Sequence, residues 1–297
     1  MKPEVRPLVK SDISPIIEIS KTTWNGHDHL PRIIGGWLSN PLCHPFVLVY
    51  NDEVVGIASI RIIDEGRTGW MEGLRIHEKV RQKGFAKVLT DYLVDVGMKL
   101  KLERLRLVTS GDNIAPMNLA ESVGMKQINT YNVFWKGNVL DIDWRNNKVH
   151  VSRIDSSQVL ETINQYPALV RMSKNPNKAS RSVVFHWDVY EAIASNIDDI
   201  GKNASYFFGS NESEAVLCIG GEHQTNEGVE WCCTIYATNN NAFLSGLSAN
   251  LELAQLRKSD SIFCIHQFEF RNLYDAVDWL AEPDHELKLV LHERYPL

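Results

Sequence analysis

The sequence predicts a mixed α/β chain of two domains, and three observations carry that reading. Phe46–Tyr50 and Glu53–Ile60 are apolar, β-branched runs separated by Asn51-Asp52, the composition of a tight β-hairpin. Trp70–His77 reads as a strand, and after a short loop Phe85, Val88, Leu89, Tyr92, Leu93, Val96 and Leu100 fall on one stripe of an amphipathic helix. The second half of the chain then runs through a similar order of strands and helices. With 297 residues there is room for two ordinary domains or one large one, and in either case enough chain for a core.

Composition narrows the class. Hydrophobic residues at 44% and charged residues at 23% sit near the globular average, which excludes disordered, collagen-like and coiled-coil chains. Lys and Arg total 31 against 37 Asp and Glu, a net charge of −6. That balance offers no overall attraction to nucleic acid or an anionic membrane, so any polyanionic ligand must be held locally. Cys43, Cys218, Cys232, Cys233 and Cys264 form no C-x-x-C pair and read as reduced core residues. Met1–Arg6 contains no apolar stretch, and no later run approaches the ~18 residues of a membrane span. The expected setting is reducing and cytoplasmic.

The elements follow in order. Val5–Val9 is a short strand, and Ser11-Asp12 can cap a helix carrying Ile13, Ile16 and Ile17. Trp24–Pro31 is turn-rich, and a second helix begins near Pro31 with Ile33, Ile34, Trp37 and Leu38 at helical spacing. After the hairpin, the central strand and the long helix come a strand at Leu105–Thr109, a helix at Asn113–Val123 closed by Gly124, and a strand at Ile128–Trp135. Residues 1–140 thus form one α/β domain, 141–182 a polar, irregular linker, and 183–297 a second domain. The expected elements of that second domain are a helix at 186–199, strands at 205–208, 215–219 and 230–237, a helix at 242–257, a strand at 261–268, a helix at 272–281 and a strand at 287–293.

The strongest chemical signal is Arg81-Gln82-Lys83-Gly84-Phe85-Ala86, between the strand ending at His77 and the helix running to Leu100. A helix amino terminus presents unpaired N–H groups and the positive end of the macrodipole, which suits a pyrophosphate. Gly84 removes the side chain that would block close approach, Ala86 keeps the first turn narrow, and Arg81, Lys83 and Lys87 add local positive charge. An R/Q-x-x-G-x-G/A pattern arises by chance roughly once per thousand positions, and alone it is also what a basic surface turn looks like. Its place between strand and helix gives it weight. Neither a G-x-x-x-x-G-K-[ST] loop nor a strand-linked G-x-G-x-x-G competes with it.

On these residues, 4–136 resemble the GNAT acyltransferase superfamily, whose order is strand, two helices, hairpin, central strand, R/Q-x-x-G-x-G/A loop and helix, strand, helix and strand. The resemblance implies acetyl-CoA as acyl donor. It implies that the central strand, Glu72-Gly73-Leu74-Arg75-Ile76-His77, splays from its neighbour so that its backbone pairs with pantetheine. Leu74, Arg75, Ile76, Arg81, Gln82, Lys83, Gly84, Phe85, Ala86, Lys87 and Asn113 are then the donor contacts. Trp24-Asn25-Gly26, Asp28-His29-Leu30-Pro31, Trp37-Leu38 and Glu72-Gly73-Leu74-Arg75 resemble, more narrowly, the histidine N-acetyltransferase group, which also carries a long carboxy-terminal half.

Acetyl transfer from a thioester to an amine requires a neutral amine, stabilisation of the developing oxyanion and a thiolate that can leave. Glu72 is the candidate base, placed by strand alternation on one face with Leu74 and Ile76; the plain alternative is a carboxylate paired with a Lys or Arg. Trp24 could stack on a flat ring and Asp28 pair with a cationic amine, or the two could be a core aromatic and a helix cap. Trp24, Asp28, Leu30 and Glu72 make up the expected acceptor site, and Arg61, Arg67 and Arg75 could each meet a substrate carboxylate. Many family members place a tyrosine acid on the helix where this chain has Ala120, which leaves Tyr92, Tyr131 or water for that role. His27, His29 and His44 lack H-E-x-x-H spacing, so no metal is expected.

In the second half, Thr238-Asn239-Asn240-Asn241-Ala242-Phe243 stands where a phosphate loop belongs and lacks its glycine and basic residues. A degenerate GNAT-like domain that binds no CoA is expected, with Cys232 and Cys233 as packing. The functional expectation is N-acetylation of a small amine or free amino acid, L-histidine foremost. Acetylation of a peptide or protein amino terminus and a non-catalytic CoA-binding sensor are the alternatives. Neither nucleic acid nor membrane is an expected partner.

Overall fold

A computed structural model describes residues 2–23, 28–170, 181–225 and 228–295. The chain divides into two compact units. The first comprises residues 1–109, 113–127 and 292–297, the second 110–112 and 128–291.

The first unit opens with β1 (Glu4–Pro7), a short 3-10 turn, α1 (Ile13–Ser20) and α2 (Leu30–Ser39). The hairpin β2 (Cys43–Tyr50) and β3 (Glu53–Ile63) turns through Asn51 and Asp52, both at positive φ, as the twist of a two-residue connection requires. β4 (Thr68–Ile76), α3 (Phe85–Lys99), β5 (Arg104–Ser110), α4 (Ile114–Ser122) and the first residues of β6 (Lys126–Gly137) follow. The strands lie in the order β1-β2-β3-β4-β5, antiparallel except for the parallel β4–β5 pair. Two cores form on opposite faces. Leu89, Leu93 and Phe85 of α3 pack with Ala58, Ile60 and Met71 on one, and Ile16, Ile34 and Trp37 of α1 and α2 with Val47 and Ile57 on the other.

The end of the chain returns to this unit and supplies a buried charge. Arg106 is fully buried on β5, donates from Nε to Glu293 Oε2 at 2.7 Å, and has Nη1 3.9 Å from Asp64 Oδ2. Arg104, one pleat earlier, donates from Nε to Thr68 Oγ1 at 2.8 Å and lies 3.8 Å from the same Asp64 oxygen. Two guanidinium groups thus share two carboxylates in a buried setting, where a charge without its partner is costly.

The second unit carries β7 (Ser152–Ile154), α5 (Ser156–Gln165), β8 (Ser182–Phe185), β9 (Asp188–Glu191), α6 (Ala194–Gly201), β10 (Ser205–Ser210), β11 (Ala215–Gln224), β12 (Val229–Ala237), α7 (Asn240–Leu256) and β13 (Ser261–Gln267). A 3-10 helix over Phe268–Ala276 and β14 (His285–Arg294) complete it, β14 up to Leu291. Its sheet runs β14-β6-β13-β12-β11-β10-β7, with β12–β13 parallel. The succession of three strands, helix, strand, short helix, strand repeats that of the first unit from β2 onward. α7 covers one face through Phe243, Leu247 and Leu251. The β8–β9 hairpin packs on the other, where Thr234 Oγ1 donates to the Val184 carbonyl and the Val184 amide donates to Tyr236 Oη.

Three local readings change. The stretch 141–182 holds β7 and α5, whose Val159 and Ile163 are buried. The helix expected at 186–199 starts only at Ala194, because His186 takes a positive φ of 53° and turns β8 back into β9. The helix expected at 272–281 is a 3-10 helix ending at Ala276. Among the described residues, no helix is long and apolar enough to cross a membrane.

Replacing Glu293 by Ala strips Arg106 of its nearest carboxylate. The expected cost is about 3–5 kcal/mol of unfolding free energy in urea, whereas Glu293→Gln, which keeps a hydrogen-bond acceptor, is expected to lose less.

Candidate active site

Gly73 sets the geometry of the central strand. β3 and β4 pair in register from Ile63↔Thr68 to Ser59↔Glu72, then resume one residue out of step at Ile57↔Arg75 and Gly56↔Ile76. The extra residue is accommodated at Gly73, whose φ of +71° belongs to glycine, and a Cβ there would stand 2.1 Å from Trp37 Cη2. The bulge reverses the expected alternation. Glu72 faces the α1–α2 side with Ser59, while Leu74 and Ile76 pack against the α3 core with Met71. Glu72 therefore does not share a face with Leu74 and Ile76. Arg75 takes its face instead, opposite Ile57.

The neighbouring strand leaves β4 early. Among the described residues, the β4–β5 ladder spans only Thr68↔Arg104, Gly69↔Leu105 and Trp70↔Arg106, although β4 continues for six residues to Ile76. From Met71 onward its edge toward β5 is open; the Leu74 and Ile76 carbonyls accept from the Arg75 and Arg81 side chains, and the main-chain amides along that edge need water or a ligand as partner.

At the end of this open edge lies the basic loop. Gln82 and Gly84 both take positive φ, 64° and 79°, and Gly84 is the N-cap of α3. A Cβ at Gly84 would meet nothing within 4 Å, so the approach to the first turn is clear. The first hydrogen bond of the helix runs from the Val88 amide to the Gly84 carbonyl, which leaves the amides of Phe85, Ala86 and Lys87 without helical acceptors. Phe85 is buried against Tyr50 with ring centroids 5.0 Å apart, so it anchors the helix while the loop stays exposed. Arg81 Nε reaches back 3.2 Å to the Ile76 carbonyl, Lys83 Nζ lies 5.7 Å from the Tyr50 ring centroid, and Lys87 pairs with Asp91 at 2.7 Å. Asn113, the N-cap residue of α4, is exposed.

On the α1–α2 face, Arg61 reaches Glu72 with Nη2 3.2 Å from Oε2 and Nε 3.3 Å from Oε1. Arg75 holds Asp28 in a two-pronged pair, with Nε to Oδ2 and Nη2 to Oδ1 both at 2.8 Å, and the Asp28 side chain is 1% exposed. Burial works against ionisation of Asp28, but the Arg75 hydrogen bonds and charge outweigh it and hold the carboxyl below the usual aspartate range. Burial, then the nearby Arg75 charge, depresses the pKa of His29, whose Nδ1 is 3.8 Å from Asp28 Oδ1. Leu30 is fully buried in the α1–α2 core and donates its amide to Asp28 Oδ1 at 3.0 Å. Arg67 donates to the Asp64 carbonyl at 3.1 Å. Trp24 and His27 lie outside the described residues.

Ala120 is 1% exposed and packs in the α3 core, so that position of α4 serves packing. Tyr92 stacks edge-on to Phe46, and Tyr131 is buried. All five cysteines are free and buried, and burial pushes the thiols of Cys43, Cys218, Cys232 and Cys233 up, away from nucleophilic thiolate. Among the described residues, no three His, Cys, Asp or Glu side chains are grouped to hold a metal. The signal missed in the sequence is the tie between Asp28 and Arg75, 47 residues apart.

The family model described as "Acetyltransferase (GNAT) family" matches residues 13–125. Histidine N-acetyltransferases of Oreochromis niloticus and Xenopus tropicalis are 24% and 22% identical to this chain over 193 and 204 residues. Those alignments cover 63% and 64% of this chain but only 54% and 60% of the two relatives. Among solved structures, a tandem GNAT protein from the clavulanic acid biosynthesis pathway superposes with a TM-score of 0.61 at 10% identity, covering 99% of this chain and 98% of that one. A GCN5-related N-acetyltransferase from Kribbella flavida superposes with a TM-score of 0.53 at 10% identity, covering 99% and 71%.

The Asp28 carboxyl has a pKa below its unfolded value of about 4, so its pairing adds stability that is full above that pH and is lost as pH falls through the folded value. Urea unfolding between about pH 5 and 2 is expected to show a shallower acid limb for Asp28→Asn than for the parent, with lower stability of the variant at neutral pH.

Proposed function

From the premise that residues 13–125 form a GNAT-family acetyltransferase domain, we propose that the protein moves acetyl from acetyl-CoA to the α-amino group of a small amine or free amino acid, with L-histidine the favoured acceptor. The observation that carries this reading is the coincidence, on one strand, of an open backbone edge from Met71 to Ile76 and an exposed, glycine-capped helix amino terminus just beyond it. The first suits the amide groups of pantetheine. The second suits a pyrophosphate, which the loop cations Arg81, Lys83 and Lys87 complement. The histidine preference rests on the relatives that bear that name.

In this reading Leu74, Ile76 and the 81–87 loop hold the donor, and amides near Leu74 polarise the thioester carbonyl as negative charge develops on its oxygen. The acceptor approaches on the opposite side of the bulge, toward Glu72. Glu72 takes a proton from the acceptor ammonium, directly or through water, so that a neutral amine attacks. Arg61 holds that carboxylate through Nε and Nη2, and this contact fixes the alignment of Glu72 on which the transfer depends. The CoA thiolate leaves without a tyrosine at position 120, and solvent can supply its proton.

The second unit takes no donor in this reading, because its own side chains fill the corresponding places. Its parallel ladder continues through six pairs to Ile235↔His266, and Gln267 Oε1 then accepts the Ala237 amide at 2.7 Å. At the α7 amino terminus, Asn239 Oδ1 accepts the Ala242 amide at 3.0 Å, and the Glu214 carboxylate accepts from the Asn241 side-chain Nδ2 at 2.9 Å, an unfavourable charge for a phosphate.

Purified protein is expected to release free thiol from acetyl-CoA with histidine in a panel of all free amino acids, and silence across the panel would remove this substrate class. Glu72→Gln is expected to lower kcat by about 10²–10⁴-fold at neutral pH, with partial recovery at high pH where the amine is already neutral. Unchanged turnover would rule Glu72 out. Calorimetry with CoA is expected to give about one site per chain, abolished by Gly84→Trp.

A further inference from the structure

Asp28 and Arg75, read from the sequence as an amine-binding and a donor-contacting residue, are occupied with each other. We propose that they are a positioning pair that fixes the first turn of α2 against the donor-side strand and thereby sets acceptor affinity; this rests on the transferase reading above. Four contacts converge. Arg75 grips both Asp28 oxygens at 2.8 Å, and its Nη1 donates to the Leu74 carbonyl at 3.0 Å, so one guanidinium joins α2 to the backbone of the bulge. Asp28 Oδ1 also receives the Leu30 amide, which ties the carboxylate into the helix start. Further along the same helix, the Trp37 ring occupies the space left by the missing Cβ of Gly73.

The helix is therefore fastened at two points to three consecutive residues, Gly73, Leu74 and Arg75. Glu72, the proposed base, is the next residue back along the strand. A fork of two parallel charge-assisted hydrogen bonds fixes orientation as well as distance, which a single contact does not. The side chains are 1% and 11% exposed, so water competes poorly for either partner. Because the fork lies on the acceptor face, while the donor is held by main-chain amides and the 81–87 loop, its loss should register chiefly in acceptor kinetics and leave donor binding nearly intact.

The test uses the full-length protein with Asp28→Asn, Arg75→Ala and the reversed pair Asp28→Arg/Arg75→Asp. Thiol release gives kcat and the acceptor KM with histidine, calorimetry gives the CoA Kd, and hydrogen exchange gives the protection of the Leu30 amide. Each single variant is expected to raise the acceptor KM by about 10–10²-fold with the CoA Kd within about threefold. The reversed pair is expected to regain at least about tenfold of the lost kcat/KM. Equal losses of CoA affinity and acceptor affinity, or a folded reversed pair no better than the worse single variant, would overturn the proposal. If the parent protein acetylates no amine, the transferase reading fails and exchange decides. In Arg75→Ala, where Asp28 is retained, the Leu30 amide is expected to exchange at least about tenfold faster; an unchanged rate would overturn the pair as a positioning device.

Discussion

One residue too many in β4 governs the arrangement of the first unit. A β-strand alternates its side chains between two faces, so an inserted residue exchanges the faces of everything that follows it. Without the bulge at Gly73, Leu74 and Ile76 would join Glu72 above the sheet and Arg75 would point into the apolar α3 core. With the bulge, two apolar side chains reach the apolar core and one guanidinium reaches Asp28. The conformation that permits this is left-handed and sterically crowded, which restricts the position to glycine on two independent grounds: its φ of +71° and the Trp37 ring.

The two units apply one order of elements to different ends, and hydrogen-bond accounting separates them. In the first, the parallel pair ends after three residues and leaves main-chain groups exposed along an edge that leads to a bare helix amino terminus. In the second, the ladder runs twice as far, and a glutamine side chain takes the next amide. Its helix is capped by Asn239, with a carboxylate nearby. An open edge is unfavourable unless something regularly pairs with it. The first unit retains one, and the second has satisfied its own.

Features set by near neighbours in the chain were legible in the sequence. The hairpin, the apolar stripe of α3, the Gly124 stop and the basic loop each depend on residues within one turn or one strand of each other. What was not legible depends on distant partners or on a change of phase. Periodicity gives the face of each strand residue only while the register is unbroken, so the bulge misassigned the face shared by Glu72 and its neighbours. Asp28 carried the right chemistry, a carboxylate at a helix start, but its cation lies 47 residues away. Glu293 and Arg106 are 187 residues apart, and nothing local marks either as buried. The β8–β9 turn was not legible because His186-Trp187 carries no glycine or proline to mark the positive φ at His186.

Two groups of cations in the first unit differ in what surrounds them, and the difference bears on what each can bind. Arg61, Arg75, Arg104 and Arg106 project from the sheet on the side opposite the α3 core, and each lies beside a carboxylate: Glu72, Asp28, Asp64 and Glu293. That face is close to neutral despite its density of charge, and a carboxylate arriving there must share a guanidinium already engaged. Arg81 and Lys83 stand at the exposed helix start, bonded to a carbonyl and an aromatic ring, neither of which carries a negative charge. In a chain with a net charge of −6, uncompensated positive charge is thus concentrated where unpaired amides converge. Field and hydrogen-bond donors together make the loop the more favourable of the two faces for a doubly charged phosphate group, whereas on the opposite face the charges already cancel.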